Sequence, residues 1–270
     1  VCICQLMDAR GTECLATVGM CWKKLKFSKI FKKKLKTKFR ITTNQIVTSD
    51  EIVQILYNFL AIHKIDKDNI EDTIISSVAP DVLYSWQSAN RKFFGREAMI
   101  VGIGTKTGID IKYDNPREVG ADRVVDAVAA YEMYGGPTIV VDLGTASTFD
   151  VVNKHGQYLG GSIAPGLKTS LDALIDRTAQ LPRIELHDPS SAIAKNTSES
   201  INAGMVFGYI GLIDGIIEQL IKEIIKKENI TKEEINIVST GGYSELLASE
   251  SRYIEIVEND LTLEGLRLIY

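Results

Sequence analysis

The sequence lacks an excess of positive charge, long apolar runs and cysteines outside its first 21 residues. Its 31 Lys and Arg against 35 Asp and Glu give a formal net charge of −4. This balance argues against a general nucleic-acid binder, which needs a basic surface to neutralise phosphates. No apolar run approaches the roughly 20 residues that span a bilayer, and the first residues resemble no signal peptide. We therefore expect a cytoplasmic protein without a nucleic-acid or membrane partner.

The cysteines and histidines suggest no site by themselves. All four cysteines (Cys2, Cys4, Cys14, Cys21) lie near the start of the chain, whereas a disulfide framework would distribute them along it. Their spacings match no usual zinc-ligand pattern. The three histidines (His63, His155, His187) lie outside every motif, so no nucleophilic triad is indicated.

The next segment, residues 22–40, contains nine lysines and one arginine among aromatic and aliphatic residues. Its apolar positions fit neither a helical period nor a strict alternation. A pair of strands with solvated lysines is the favoured interpretation. A basic stripe that holds phosphate or an anionic surface is the alternative.

Beyond residue 43 the pattern predicts alternating helices and strands, which is typical of an α/β fold. Thr48 and Glu51 form a capping box before the first helix, because each side chain can bond an orphan backbone N–H group. Helices are expected at Ser49–His63, Pro80–Phe94, Asp122–Met133, Pro165–Arg177, Ser198–Lys226 and Leu261–Ile269, with a short one after Gly242. Strands are expected at Asp72–Val78, Met99–Val101, Thr138–Asp142, Ser147–Val152, Gln157–Ile163, Ile235–Val238 and Tyr253–Val257.

The segment Val140–Thr148, VVDLGTAST, is the first candidate site. An acid at the end of a strand lies where the carboxyl edge of a sheet opens into a crevice, and Gly144 permits close approach of a ligand. The hydroxyls of Thr145, Ser147 and Thr148 suit phosphate oxygens and a cation. A polar hairpin in which Asp142 makes only a turn bond is the alternative.

The segment Tyr113–Arg123, YDNPREVGADR, is the second candidate. Asp122 falls near a helix N-terminus, where the helix dipole favours its ionised form, and Arg123 offers a forked donor for carboxylate or phosphate. A carboxylate beside a substrate hydroxyl can act as general base for phosphoryl transfer. Alternatively, Asp122 caps the helix and Arg123 is its surface partner.

Six motifs in one order extend these two segments: YDNPREVGADR, VDLGTASTFD, YLGGSIAPG, KNTSES, STGG and DLTLEGLRLIY. Over roughly residues 39–270 the sequence resembles the type III pantothenate kinases, of the superfamily of acetate and sugar kinases, actin and heat-shock chaperone ATPases. The resemblance implies an α/β fold of two ribonuclease H-like (actin-like ATPase) domains with a nucleotide cleft between them. We expect them at residues 1–130 and 131–270.

The resemblance also implies a function, namely ATP-dependent phosphorylation of pantothenate to 4'-phosphopantothenate, the first step of coenzyme A biosynthesis. Mg2+ would accompany ATP, a monovalent cation (K+ or NH4+) would be required, and the chain would form a homodimer. The implied roles are proton acceptor for Asp122, pantothenate binding for Tyr113, Gly120, Ala121, Asp122, Arg123 and Thr197, cation binding for Asp142, and ATP binding for Gly144, Thr145, Gly241 and Gly242.

The start of the chain departs from this family. The family has Asp-x-Gly-Asn-Thr after its first strand, expected here near residues 19–23, which read GMCWK. The nearest replacement is Asp8-Ala9-Arg10-Gly11-Thr12, whose glycine is one place late. The hypothesis is that about the first 25 residues are not the family's native start, as after a change of reading frame, so that the kinase is weak or inactive.

Two other functions are open at this point. One is a regulatory protein on the same fold, like the relatives called Bvg accessory factor, which the basic segment 22–40 favours and the acidic balance opposes. The other is a different kinase or phosphatase of the superfamily, which the GADR string and its spacing to Asp142 oppose.

Overall fold

The computed structural model describes residues 2–7, 14–21, 35–43 and 46–270. Its strands are β1 (Cys2–Met7), β2 (Cys14–Cys21), β3 (Leu35–Thr43), β4 (Asp72–Ser77), β5 (Met99–Ile100), β6 (Asp110–Ile111), β7 (Thr138–Leu143), β8 (Ala146–Val152), β9 (Gln157–Pro165), β10 (Asn236–Thr240) and β11 (Ile256–Val257). Its α-helices are α1 (Ser49–Ile62), α2 (Pro80–Phe94), α3 (Ala121–Tyr134), α4 (Leu167–Asp176), α5 (Thr197–Glu228), α6 (Ser244–Ala248) and α7 (Leu261–Ile269).

The chain divides into two compact units. Unit 1 comprises the chain up to Gly108, Arg117–Ala129 and Thr262–Tyr270, and unit 2 comprises Ile109–Pro116 and Ala130–Leu261. The division between Ala129 and Ala130 lies inside α3, and each unit is composed of more than one stretch of chain. Residues 109–116 belong to unit 2 because β6 pairs in parallel with β9. The last helix belongs to unit 1 from Thr262 onward, where Leu263 and Leu266 are buried.

Unit 1 is a five-stranded sheet covered by helices on both faces. Its order is β3-β2-β1-β4-β5, with β1 antiparallel to β2 and parallel to β4. On one face α1 and α2 pack Leu56 and Trp86 against Ile75 of β4. On the other, Val125 of α3 and Leu266 of α7 pack with Ile74. Successive residues of one strand thus point to opposite faces and pack against two helical layers.

The capping box and the proline that predicted two helix starts in unit 1 are found at those starts. The backbone N–H of Glu51 donates to the Thr48 hydroxyl at 3.3 Å, and the N–H of Thr48 donates to the Glu51 carboxylate at 2.7 Å, which completes the capping box. Pro80 occupies the first turn of α2, and Gly95 ends that helix in the left-handed conformation with φ of 70°.

Unit 2 repeats this strand arrangement. Within its order β11-β10-β7-β8-β9-β6, β7 is antiparallel to β8 and parallel to β10, as β1 is to β2 and β4. Helix α5 packs along one face, with Val206, Ile213 and Ile217 buried against Ile139 and Val141 of β7. The connection between β7 and β8 therefore corresponds in topology to that between β1 and β2.

The first part of the chain differs from expectation. Gly19–Cys21, where the family's first phosphate loop was expected, lie within β2 and pair with both β1 and β3. The segment between the corresponding strands is residues 8–13, which includes Asp8 and lies outside the described residues. The cysteine side chains and most of the predicted strand pair at 22–40 also lie outside them, although β3 overlaps its end.

Helix α5 meets the length and composition of a membrane span, contrary to the sequence-based expectation that no segment would. Its most apolar 18-residue window has a mean hydropathy of 1.5, and 50% of that window is buried inside the protein. Eleven of its residues are buried. We therefore interpret α5 as the core helix of unit 2.

Candidate active site

Strand β7 carries the first candidate acid, Asp142, near its carboxyl end. The strand lies between β10 and β8 in the sheet and is buried on both faces, a position that its β-branched residues suit. Asp142 is half-buried and pairs in register with Thr240 of β10 and Thr148 of β8. The register brings the end of β10 to the carboxylate.

Gly241 follows β10 and lies directly against Asp142. Its φ is +100°, and a Cβ there would be 2.7 Å from Oδ1 of Asp142 and 2.6 Å from the carbonyl carbon of Leu143. Only glycine fits this conformation and approach. The Ser244 hydroxyl donates to the Gly241 carbonyl at 2.7 Å, and Gly242 is exposed. Asp142, Gly241 and Gly242 are thus brought together in unit 2.

The turn of Gly144 and Thr145 between β7 and β8 is fixed by the start of α4. The Gly166 N–H and the Thr169 hydroxyl both donate to the Thr145 carbonyl, at 3.0 and 2.7 Å. A Cβ on Gly166 would be 2.3 Å from the carbonyl oxygens of Gly144 and Thr145, so the chain passes directly over the turn. The sequence alone indicates no role for Gly166 or Thr169. The Pro165-Gly166 pair was the available signal, and it suggested only a helix start.

Ser147 does not face a ligand, contrary to the expectation that its hydroxyl would suit phosphate. Along β8, Thr148 is half-buried, whereas Ser147 is 0% exposed and its Oγ lies 2.5 Å from the Tyr209 hydroxyl. Successive residues of a strand point to opposite faces, so Ser147 and Thr148 cannot both point outward.

The second candidate acid, Asp122, lies in the first turn of α3 in unit 1. Its Oδ1 accepts a hydrogen bond from the backbone N–H of Arg123 at 2.8 Å. A Cβ on Gly120 would be 2.5 Å from the same oxygen, so the half-buried carboxylate folds back over Gly120. Ala121 starts the helix beside them. Arg123 is only 7% exposed, which is incompatible with the alternative that it is a surface partner.

Tyr113 and Thr197 lie in separate parts of unit 2. The N–H of Lys112 donates to the Tyr158 carbonyl at 2.8 Å, and this places Tyr113 beside Gly160. A Cβ on Gly160 would be 3.2 Å from the Tyr113 ring. Thr197 is the exposed first residue of α5, after the N-cap Asn196, whose side chain accepts from the Glu199 N–H at 2.9 Å.

Among the described residues no group of three or more His, Cys, Asp and Glu side chains could hold a metal ion. The half-buried Asp142 presents carboxylate oxygens beside Gly241, and oxygen atoms are the ligands that hard cations prefer.

Comparison with known proteins identifies the family. The family model described as type III pantothenate kinase matches residues 24–219. A relative named type III pantothenate kinase, from Syntrophotalea carbinolica, is 50% identical over 232 residues, which are 86% of this chain and 88% of the relative. The chain belongs to the type III pantothenate kinase family. It is therefore a kinase that transfers phosphate from ATP to the alcohol group of pantothenate, in coenzyme A biosynthesis.

Solved structures agree on the fold. A Campylobacter jejuni protein named for the Baf family of transcriptional activators has a TM-score of 0.55 at 18% identity, covering 98% of this chain and 96% of that chain. A Sinorhizobium meliloti protein named as a 2-dehydro-3-deoxygalactonokinase has a TM-score of 0.54 at 10% identity, covering 100% and 95%. The expected actin-like ATPase and sugar kinase fold is confirmed. The pantothenate kinase family match favours the enzyme over the regulatory alternative.

Proposed function

We propose that the chain phosphorylates the primary hydroxyl of pantothenate with Asp122 as the general base. The position of the Asp122 carboxylate carries this assignment. It is held by the Arg123 N–H at 2.8 Å and folded back over Gly120 in the first turn of a helix. The helix dipole at that position favours the ionised carboxylate, which is the form that accepts a proton.

In this mechanism the hydroxyl oxygen of pantothenate attacks the γ-phosphorus of ATP while Asp122 takes the hydroxyl proton. The bond to the β,γ-bridging oxygen breaks, and ADP leaves with its electron pair. Because phosphoryl transfer needs little covalent chemistry from the protein, positioning and charge neutralisation account for most of the rate. Mg2+, when bound with ATP, would supply part of that neutralisation.

The ATP phosphates are assigned to the end of β7 and the turn that follows. Gly144 and Thr145 present a fixed turn, and Gly241 and Gly242 approach it from β10. The absence of side chains at Gly144 and Gly241 leaves the Asp142 carboxylate its space, since a Cβ would lie 3.5 and 2.7 Å from its Oδ1. Asp8 is a further candidate, because it lies in sequence between β1 and β2, the counterparts of β7 and β8.

Asp142 is proposed to bind the monovalent cation, K+ or NH4+. One carboxylate together with backbone carbonyls and phosphate oxygens suffices for such an ion. Replacing K+ by Na+ should lower turnover of the parent enzyme. In Asp142→Asn the remaining activity should no longer depend on which ion is present, and unchanged K+ dependence would contradict the assignment.

Tyr113, Thr197 and the Gly120–Arg123 segment are proposed to bind pantothenate. We further propose a cytoplasmic homodimer, because the family resemblance implies one. Light scattering on the purified chain measures the molar mass, and a mass near 29.8 kDa, that of one chain, would contradict the dimer.

The decisive test of the proposed function is a turnover assay with pantothenate and ATP, following ADP by a coupled enzyme reaction and 4'-phosphopantothenate by mass spectrometry. Asp122→Asn should lower kcat by about 100-fold or more, as loss of a general base does. Glu132→Gln is the control, since it removes an exposed carboxylate from the same helix. Equal activity of Asp122→Asn and the parent would contradict the assigned base. Absence of turnover together with salt-sensitive DNA binding would favour the regulatory function.

A further inference from the structure

Tyr209 of α5 joins β8, which begins directly after the Gly144–Thr145 turn, to the end of β9, which leads into Gly166 against that turn. Its side chain is 5% exposed. Its hydroxyl lies 2.5 Å from Oγ of Ser147 and 2.6 Å from the carbonyl oxygen of Pro165. Ser147 is the second residue of β8 and Pro165 is the last residue of β9, so one hydroxyl contacts both strands where they reach the turn.

The direction of both hydrogen bonds follows from the number of protons. Tyr209 has one hydroxyl proton, and the Pro165 carbonyl can only accept, so that proton goes to Pro165. The Ser147 hydroxyl must then donate to the Tyr209 oxygen. Burial raises the pKa of Tyr209, against a smaller lowering by the Ser147 hydrogen bond, so the tyrosine keeps its proton at neutral pH. Removing this hydroxyl leaves the buried Ser147 hydroxyl and the Pro165 carbonyl without this partner.

Both partners of Tyr209 are adjacent to the atoms that hold the turn. Ser147 follows Ala146, which pairs with Pro165 across β8 and β9. Pro165 precedes Gly166, whose N–H donates to the Thr145 carbonyl at 3.0 Å. Because Gly166 has no Cβ, its backbone can lie directly against the carbonyl oxygens of Gly144 and Thr145. A shift of β9 relative to β8 would therefore move the Thr145 carbonyl.

We propose that Tyr209 is a positioning residue for the nucleotide, which holds the Gly144–Thr145 turn in the geometry that receives the ATP phosphates. This inference depends on the proposed function, in which that turn contacts ATP. Tyr209 touches no substrate and acts through Ser147 and Pro165. An ordinary core tyrosine in the same place would contribute to stability alone.

Tyr209→Phe tests the proposal, because it removes the hydroxyl and keeps the buried ring. Small misplacements of groups that position a substrate are costly, so we expect kcat/KM for ATP to fall about tenfold. KM for pantothenate should stay within about twofold, since the turn is assigned to ATP. Calorimetric titration with ADP should show a similarly weakened Kd, which is a readout independent of turnover.

Ser251→Ala is the matched control. The Ser251 hydroxyl donates to the buried Asp214 carboxylate at 2.7 Å, and Asp214 lies five residues after Tyr209 on α5. This variant also removes a hydrogen bond to α5, together with those that the Ser251 hydroxyl accepts from the N–H groups of Tyr253 and Ile254. It leaves Ser147 and Pro165 untouched. We expect lowered stability with unchanged ATP kinetics. Equal effects of Ser251→Ala and Tyr209→Phe on kcat/KM for ATP would reduce Tyr209 to a structural anchor and overturn the proposal.

Ser147→Ala gives a second approach, which remains informative if Tyr209→Phe folds poorly, because the Tyr209–Pro165 bond is retained. It should impair ATP use in the same direction but less. The double variant should be less impaired than the two single effects added, as expected for residues in one network. Normal ATP kinetics in folded Ser147→Ala and Tyr209→Phe would overturn the proposal.

Thr145→Ala separates failure of this inference from failure of the proposed function. If Thr145→Ala impairs ATP use and Tyr209→Phe does not, only the positioning role is wrong. If Thr145→Ala has no effect on ATP kinetics or ADP binding, the assignment of the ATP phosphates to this turn is wrong and the positioning role fails with it, whereas Asp122→Asn still tests the proposed reaction.

Discussion

Asp142 and Gly241, almost 100 residues apart in sequence, approach so closely that a methyl group on Gly241 would lie 2.7 Å from the Asp142 carboxylate oxygen. The same methyl group would be 2.6 Å from the backbone of Leu143, which cannot move as easily as a side chain. The positive φ of Gly241 adds strain for any other residue. The end of β10 thus limits where the Asp142 carboxylate can lie.

Gly241→Ala should therefore displace Asp142 and the start of the turn. We expect kcat/KM for ATP to fall at least tenfold, the order of a lost positioning contact, with weaker activation by K+. Steady-state kinetics at varied ATP and K+ measure both. Gly215→Ala is the control, because a Cβ there meets nothing within 4 Å. Parent-like ATP and K+ dependence in Gly241→Ala would mean that neither is bound beside Asp142.

Gly120→Ala tests whether the position of the second acid, Asp122, matters for turnover. A Cβ at this position would be 2.5 Å from Oδ1 of Asp122 and 3.5 Å from Val78, so the carboxylate must rotate away. We expect kcat to fall between about tenfold and 100-fold, because a displaced base transfers protons poorly, whereas KM for ATP should not change. Gly102→Ala is the matched control in unit 1, with open space around its Cβ. A parent-like kcat in Gly120→Ala would contradict the assignment of Asp122.

The glycines on the outer face of α5 predict an effect on stability. Gly208 and Gly211 are exposed, and a Cβ on either would meet nothing within 4 Å. Alanine is preferred over glycine in a helix interior by about 1 kcal/mol. Each substitution to alanine should therefore raise Tm by about 2–4 °C, as measured by thermal unfolding. A lowered Tm, or a change in molar mass, would show that this face packs closely against another molecule.

The capping box predicts a dependence of stability on pH. Hydrogen bonds from the backbone and side chain of Thr48 lower the pKa of the Glu51 carboxyl below its usual value of 4.5. A lowered folded-state pKa means that the stabilisation is present above pH 4.5 and disappears as the pH falls through the lower, folded-state value. Urea unfolding of Glu51→Ala and the parent should thus differ at pH 7 and converge in acid.

Glu51→Gln is the control for that measurement, because glutamine can cap the helix without ionising. Its stability relative to Glu51→Ala should not change with pH. A difference between Glu51→Ala and the parent that stays constant down to acidic pH would show that the charge of Glu51 does not contribute.

Local signals predicted most of the described helices. The cap at Thr48 predicted the start of α1, and Pro80 predicted the start of α2. The apolar period of the last helix predicted the bounds of α7. The missed elements lack such signals. β6 has only two residues, and its pairing with β9 depends on a contact 47 residues away. β9 continues to Pro165, beyond its predicted end at Ile163, because Ala146 pairs with Pro165.

In the candidate site, too, some residues are indicated by short sequence motifs and others only by contacts between distant parts of the chain. The motifs indicated Asp122, Asp142 and the glycines, because those residue types are unusual at their positions. They could not indicate Tyr209, which lies in an apolar helix and resembles any core residue. Its role depends on contacts with Ser147 and Pro165, 62 and 44 residues away, and only the folded chain brings these together.

The missing phosphate loop leads to the last prediction. Residues 8–12, DARGT, differ from the family's Asp-x-Gly-Asn-Thr at two positions, so that Arg10→Gly with Gly11→Asn recreates the pattern. They lie in sequence between β1 and β2, the counterparts of the strands that flank the Gly144–Thr145 turn. Loss of one preorganised electrostatic contact costs on the order of 100-fold in turnover. We therefore expect the parent to be a weak kinase and the double variant to turn over at least tenfold faster.

Turnover of the parent, the double variant and the Syntrophotalea carbinolica relative under identical conditions measures this effect. Asp8→Ala in the background of the double variant is the control, and it should abolish the gain because the carboxylate is the charged member of the loop. A parent as active as the relative would refute the damaged loop. A double variant no faster than the parent would mean that residues 8–12 do not reach the nucleotide, since the restored pattern acts only where it contacts the phosphates.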